Sequence, residues 1–362
     1  MTSEDENSIV PKLEKMGRGV AEQIKRGDNP YVSIPVRALS NITFNKEKKT
    51  LSLGSQESKR YFVNVAHARK FMQTMLVGAF CKELVEHDIH ASIREAYYSL
   101  KRNIAGTHEN TFEEQSESDP IIVDLEVMLD ILREQLHLNA DRSGVAAGKV
   151  MIEDRGDSID WSKLGSGGWS IPSNVEAIKL KKINAKFILV VEKNATFDRL
   201  NEDRFWENHE CILIGTHGQA ARGTKRLIHN LSVKTKLPVY VFTDADAYGY
   251  YIYSVIKSGS INLAHASEEF ATPSAKFIGL TMADIQNFGL EKYTIRATDQ
   301  DLKRTKEMMK YPWFAAKEWQ EELKTMIDKK IKAEQEALAS RHLKFVSQEY
   351  LPSKIKKKEF LP

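Results

Sequence analysis

"VYVFTDADAYG" (residues 239–249) passes from an uncharged run straight into two aspartates one residue apart, and then a glycine. The run is rich in β-branched and aromatic side chains and has the length of a strand. Two others share its texture: "KFILVV" (186–191) and "CILIGT" (211–216). Strands this apolar are buried on both faces, which points to a parallel sheet closed by crossover helices. Residues 195–209 and 219–234 fit those helices, and "KFIGL" (276–280) extends the sheet as a fourth strand.

Acids stand where such a sheet gathers ligands. Glu192 directly follows the run ending at Val191, while Asp244 and Asp246 directly follow the one ending at Thr243. The crevice at the carboxyl ends of parallel strands is the binding edge of this architecture. In D-x-D both side chains leave the same side of an extended segment, so Asp244 and Asp246 can reach one ion, with Glu192 closing from a neighbouring strand. An all-oxygen set suits a hard cation such as Mg2+. The competing structural role is helix capping, which aspartate often serves.

Upstream, from His67, the periodicity is helical: Phe71, Met72, Met75, Leu76, Ala79 and Phe80 form one stripe. A second helix begins in "SIREAYYSLK" (92–101), and the acidic stretch 106–120 is expected as a solvated loop before a third, "IIVDLEVMLDILREQL" (121–136). Three helices on short turns fit a helix-turn-helix or winged-helix module, and equally other small bundles. Ser92 and Glu95 form a capping box, which makes Ser92 the N-cap and fixes the register of the second helix. At about 100° per residue, Ile93, Ala96, Tyr97 and Leu100 then share the buried face. Tyr98 falls on another face, with Arg94 one turn before it and Lys101 nearly one turn after. A phenol, with a pKa of about 10, is a poor nucleophile at neutral pH. Flanking cations favour the phenolate, and the planar fork of Arg94 matches phosphate oxygens. The plain alternative is a surface aromatic beside solvated cations.

Residues 1–65 read as an N-terminal appendage. It has a helix over 9–24 with Leu13, Met16, Val20 and Ile24 on one stripe, then short strands in "YVSIPVR", "NITFN", "TLSLG" and "YFVNV". Residues 66–146 hold the helical module, and 147–362 hold the sheet with a helical tail in which Trp319, Leu323, Met326, Ile327 and Ile331 form one stripe. "KIKKK" (354–358) reads as a frayed, charged terminus. The net charge is only +3, from 53 basic and 50 acidic residues, so any surface for a polyanion is a local patch. Cys81 and Cys211 lie in apolar stretches and are expected as buried thiols in a reducing compartment, which excludes a disulfide frame or zinc–cysteine cluster. The acidic N-terminus has no signal-peptide core and no run has membrane-spanning length, so a cytosolic protein is expected.

"GQAARGTK" (218–225) imitates a phosphate-binding P-loop, but that loop ends in G-K-[ST] and here the order is Gly223, Thr224, Lys225. No other stretch supports ATP hydrolysis by this chain. Arg222, Lys225 and Arg226, at the start of a helix after a strand, are candidates for holding nucleic-acid phosphate, and equally for a solvated face.

"IREAYYSLK" (93–101), "VVEKNATFDRL" (190–200) and "FTDADAYGYYIYSVIKSGSINLAHASEEFATPSAKFIGL" (242–280) resemble the A subunit of DNA topoisomerase VI. This is the type IIB enzyme related to the meiotic double-strand-break protein. "GGWSIPSNVE" (167–176) and "GQAARGTKRLI" (218–228) resemble segments of the same family, and the similarity runs from about residue 60 nearly to the C-terminus. The resemblance implies a mixed α/β chain: an N-terminal winged-helix (CAP-like) domain carrying a nucleophilic tyrosine, then a Toprim domain, a parallel sheet flanked by helices, holding Mg2+. Tyr98 matches the tyrosine that becomes linked to DNA and Arg94 the motif's arginine, while Glu192, Asp244 and Asp246 match the Toprim acids. Lys101, Arg222, Lys225 and Arg226 are expected as further DNA contacts. One departure is Ala247, where the family pattern D-x-D-P has proline; it loosens a turn without removing a ligand.

The implied activity is ATP-dependent: a transient double-strand break through a 5′-phosphotyrosyl bond, resealed after a second duplex has passed. The implied partners are double-stranded DNA, a second copy of this chain, and a GHKL-type ATPase B subunit in an A2B2 heterotetramer, nucleoid-associated and not at a membrane. Three other readings stand beside this one. A meiotic-type break-maker shares the chemistry without routine resealing; a Toprim nuclease would hydrolyse with activated water and no tyrosine; a winged-helix binder would do no chemistry.

Overall fold

The computed structural model describes residues 9–362, which divide into two compact units. The first takes the residues up to 43, 52–141 and 261–266, and the second takes 44–51, 142–260 and 267–362.

In the first unit, α1 (Ile9–Lys25), β1 (Tyr31–Pro35) and β2 (Glu57–Tyr61) precede the helical module of α2 (Ala68–Glu86), β3 (Ala91–Ser92), α3 (Ile93–Leu100), α4 (Gln115–Leu129) and β4 (Leu138–Asn139). The N-terminal stretch, expected as an appendage, shares the core of that module: Ile9 and Leu13 are buried with Val77, Cys81, Leu84 and Leu125. Gly78 is the reason α1 can lie close, since a Cβ there would meet Met16 Cε at 2.6 Å. Ile24, assigned to the inward stripe, lies beyond the packed part of α1 and is exposed. The strand expected over "YFVNV" falls earlier, because the antiparallel ladder of β1 and β2 ends at Tyr31↔Tyr61; Phe62, Val63 and Val65 are exposed. Buried Asp124 of α4 accepts hydrogen bonds from both Arg37 and Arg60, tying the ribbon to the helices. That helix starts earlier than expected and contains Pro120, although a proline beyond the first turn removes a helix hydrogen bond. The preceding loop is not wholly solvated, since Thr111 and Phe112 are buried.

The second unit is built on a six-stranded sheet. Four strands are parallel neighbours: β10 (Phe187–Val191) lies between β11 (Cys211–Gly215) and β12 (Val239–Phe242), and β13 (Lys276–Gly279) flanks β12. Every residue of β10 and β11 is buried, as their uninterrupted apolar sequence requires. Beyond β11, β5 (Val145–Ala147) and β8 (Trp169–Ser170) add an antiparallel edge. A separate antiparallel sheet joins β6 (Val150–Asp154) to β7 (Asp157–Asp160) on one side and β9 (Lys179–Ile183) on the other. Crossovers include α5 (Asn194–Glu202), α6 (Phe205–Asn208), α7 (Arg222–Thr235) and α8 (Ala247–Ser258). In the tail, α9 (Lys317–Lys329) buries Trp319, whose ring lies 5.2–5.4 Å from those of Tyr250, Tyr253, Phe277 and Phe314. Ile331 leaves that stripe, because the chain pairs there with Ile295–Arg296 as a two-residue strand.

The basic C-terminus is not frayed. In α10 (Leu351–Lys357) the ammonium of Lys354 is buried and donates to both oxygens of Asp284, at 2.8 and 3.0 Å. Asp284 also accepts from the hydroxyl of Tyr350 at 2.8 Å. A buried charge without its partner is costly, so Lys354→Ala is expected to lower stability by about 3 kcal/mol or more, read as a lower urea midpoint. An unchanged midpoint would refute this anchoring role. Cys81 and Cys211 are buried, free thiols whose pKa values burial pushes up. Among the described residues no helix is long and apolar enough to cross a membrane.

Candidate active site

Neighbouring strands β10 and β12 run in parallel with Val191 opposite Phe242, so the residues that follow them emerge side by side. Glu192 accepts the backbone N–H of Asp244 on its Oε2 at 3.2 Å. The turn from β12 into α8 needs glycine: a Cβ on Gly249 would lie 2.4 Å from the Asp244 carbonyl oxygen. Asp246 is the N-cap of α8, its Oδ1 accepting from the N–H of Gly249 at 2.7 Å. The capping role is therefore real, and it leaves other lone pairs of that carboxylate for a cation. Ala247 opens the helix at the position where proline would also fit.

Three neighbours escaped the sequence reading. Lys193 places Nζ 3.1 Å from Asp244 Oδ2, 3.1 Å from Glu334 and 2.6 Å from Glu336. The two glutamates arrive on a tail segment that bridges Ala333 to Ala245, and the Gln335 N–H donates to Asp244 Oδ1 at 2.8 Å. Lys193 was visible beside Glu192, but nothing local in "KAEQEAL" announces that the tail returns to this edge.

Burial, reinforced by the charge of Asp244, pushes the Glu192 carboxyl up to about 7. Burial also raises Asp244, to about 6, although the Gln335 N–H and Lys193 pull the other way. Asp246 is raised by burial too, with its cap hydrogen bond opposing. Burial disfavours the Lys193 ammonium, yet Glu336, Asp244 and Glu334 outweigh it and hold its pKa above the usual range. Carboxylates crowded at a strand edge until their pKa values rise, with an ammonium already drawn to one of them, form a donor set that fits a divalent cation. Glu192, Asp244 and Asp246 would hold it. Asp244 leans to Lys193, and Asp246 to its cap.

In the first unit, the Ser92–Glu95 capping box is formed in both directions, at 2.6 and 3.0 Å, and sets α3 in its expected register. Tyr97 is buried and its hydroxyl donates to the Glu113 carbonyl at 2.7 Å. Tyr98 is 61% exposed, and Arg94 is exposed on the same helix. Lys101 is exposed, and its ammonium donates to the Tyr97 hydroxyl and the Glu113 carbonyl, each at 3.0 Å. That bond to Tyr97 raises its pKa.

The basic trio is not an open phosphate surface. The Arg226 guanidinium pairs with Glu176 and Glu269, and buried Arg222 and Lys225 lie over the Phe270 ring. "GQAARGTK" is a packing motif: a Cβ on Gly223 would lie 2.2 Å from the Pro172 carbonyl oxygen, and the Thr224 hydroxyl donates to the Ser143 carbonyl.

Comparison with known proteins joins these features. Residues 187–355 match the family model of the Toprim domain shared by the topoisomerase 6 A subunit and Spo11. Residues 69–138 match "Type IIB DNA topoisomerase", and residues 144–184 match "All-beta domain in DNA topoisomerase VI alpha subunit". The chain is 49% identical to the A subunit of type 2 DNA topoisomerase 6 from Pyrococcus horikoshii, covering 99% of this chain and 97% of that one. It is 39% identical to the protein of the same name from Saccharolobus shibatae, over 94% and 93% of the two chains. It is 33% identical to the A3 subunit of DNA topoisomerase 6 from Oryza sativa, over 100% and 80%. Fold and acid edge together define a Toprim protein. The chain belongs to the family of the A subunit of DNA topoisomerase VI, the type IIB topoisomerases.

Proposed function

We propose that this chain is the DNA-cleaving subunit of an ATP-dependent type IIB topoisomerase and that Tyr98 is its nucleophile. The Tyr98 oxygen attacks the scissile phosphorus: an O–P bond to tyrosine forms, the bond to the 3′ oxygen breaks, and the phenolic proton is given up as the leaving oxygen becomes a 3′-hydroxyl. One ester replaces another, so the 3′-hydroxyl can reverse the step without an external energy source. Arg94 holds the phosphate beside the tyrosine. The observation that carries the assignment is the contrast within α3, where one phenol is buried and hydrogen-bonded and its neighbour stands at the surface.

Glu192, Asp244 and Asp246 would hold Mg2+ in this reading, and bound there it would supply positive charge to the phosphate and the leaving oxygen. Two strands need two tyrosines, so the working form is a homodimer of this chain. The ATPase B subunit completes an A2B2 assembly on double-stranded DNA, nucleoid-associated, and ATP serves strand passage.

The test incubates the chain, its ATPase partner and Mg2+ with supercoiled plasmid. The expected product is broken DNA with protein attached to both 5′ ends. Free 5′-phosphates with no attached protein would overturn the tyrosine mechanism in favour of hydrolysis.

A further inference from the structure

A second cluster of metal-ligating side chains lies in the first unit, whereas the strand-end acids belong to the second. β3 and β4 pair in parallel with Ala91 opposite Leu138, so the residues just before each, His90 and His137, are carried side by side. Their imidazoles stack, with centroids 4.1 Å apart and planes 6° from parallel. Asp88 joins them from the turn that ends α2. Asp88 and His137 both take left-handed backbone conformations, φ 52° and 59°, which are uncommon for residues other than glycine. One donor atom from each of Asp88, His90 and His137 lies within 4.8 Å of the others.

His137 is 3% exposed and its Nδ1 lies 3.2 Å from the Ile89 carbonyl oxygen. A carbonyl only accepts, so Nδ1 carries the proton and Nε2 keeps its lone pair. Metal-binding histidines are oriented in this way, by a hydrogen bond from the ring nitrogen that does not face the ion. Asp88 and His90 are exposed at the surface, and because parallel stacked rings cannot both aim an in-plane lone pair at one ion, binding turns the exposed His90 ring out of the stack.

We propose that Asp88, His90 and His137 form a site for a transition-metal dication of the zinc class, with water as the fourth ligand. Two imidazoles and one carboxylate suit such an ion, whereas the all-oxygen edge of the sheet suits a hard one. The ion cross-links the roots of β3 and β4. Because Ser92, the N-cap of α3, ends β3, it also steadies the helix that bears Tyr98; this last consequence rests on the proposed function, and the binding itself does not.

The test strips the full-length chain with a chelator and titrates it with Co2+, whose tetrahedral complexes absorb visibly. One equivalent is expected to bind with a tetrahedral spectrum and to be displaced by Zn2+. His90→Asn, and Asp88→Asn, whose asparagine tolerates the left-handed backbone, are each expected to weaken binding by about tenfold or more. Asp244→Asn and Tyr98→Phe are expected to keep the tetrahedral Co2+ band with unaltered intensity and affinity. No tetrahedral band, undiminished affinity in His90→Asn, or loss of the band in Asp244→Asn overturns the proposal. Normal Co2+ binding in a chain that forms no protein–DNA bond overturns only the tyrosine reading.

Discussion

Tyr98→Phe is expected to abolish covalent attachment to DNA and to cut plasmid relaxation by about a thousandfold or more, because no other group in α3 replaces the nucleophilic oxygen. The side chain is 61% exposed, so losing one hydroxyl costs the fold nothing comparable. Thermal unfolding and DNA binding should match the parent chain. The control is its neighbour. Tyr97→Phe removes a hydroxyl that bonds Glu113 and Lys101, so it should lower stability by about 1 kcal/mol and leave protein–DNA attachment intact. Attachment that survives Tyr98→Phe but disappears in Tyr97→Phe would reverse the two roles.

Asp244→Asn is the second large effect. Asparagine keeps an oxygen for the Gln335 N–H but loses the charge that faces Lys193 and the cation. Mg2+-dependent cleavage is expected to fall by about a hundredfold or more, with DNA binding retained. The unaltered chain makes a linked prediction about pH. Protons compete with the cation for carboxylates whose pKa values are raised to about 7 at Glu192 and about 6 at Asp244. A raised pKa means the proton is held up to higher pH, so apparent Mg2+ affinity should weaken as pH falls from about 8 to about 5. Isothermal titration across that range checks it. An affinity independent of pH would remove these two residues from the site.

The sheet and its edge were legible because their signals are local. Short continuous apolar runs rich in β-branched residues point to strands buried on both faces, and Glu192, Asp244 and Asp246 follow those strands directly in the chain. Which tyrosine is buried and which is exposed was legible for the same reason, since the Ser92–Glu95 box fixes the phase of α3 within one turn. What escaped depends on distant returns of the chain. Glu334 and Glu336 matter only because Ala333 bridges Ala245, and Lys354 is buried only because Asp284 waits for it. The DNA contacts expected at Arg222, Lys225 and Arg226 rested on charge alone. In the structure they pack against Glu176, Glu269 and Phe270, partners that no local signal announces.

The ammonium among Asp244, Glu334 and Glu336 has a further meaning for how such a protein is made. A polypeptide that brings its own positive charge into a nest of acids can finish folding in a cell compartment poor in free divalent ions, without negative groups driving its sheet edge apart. On the proposed reading, a cation that binds Asp244 would have to trade places with this internal tenant.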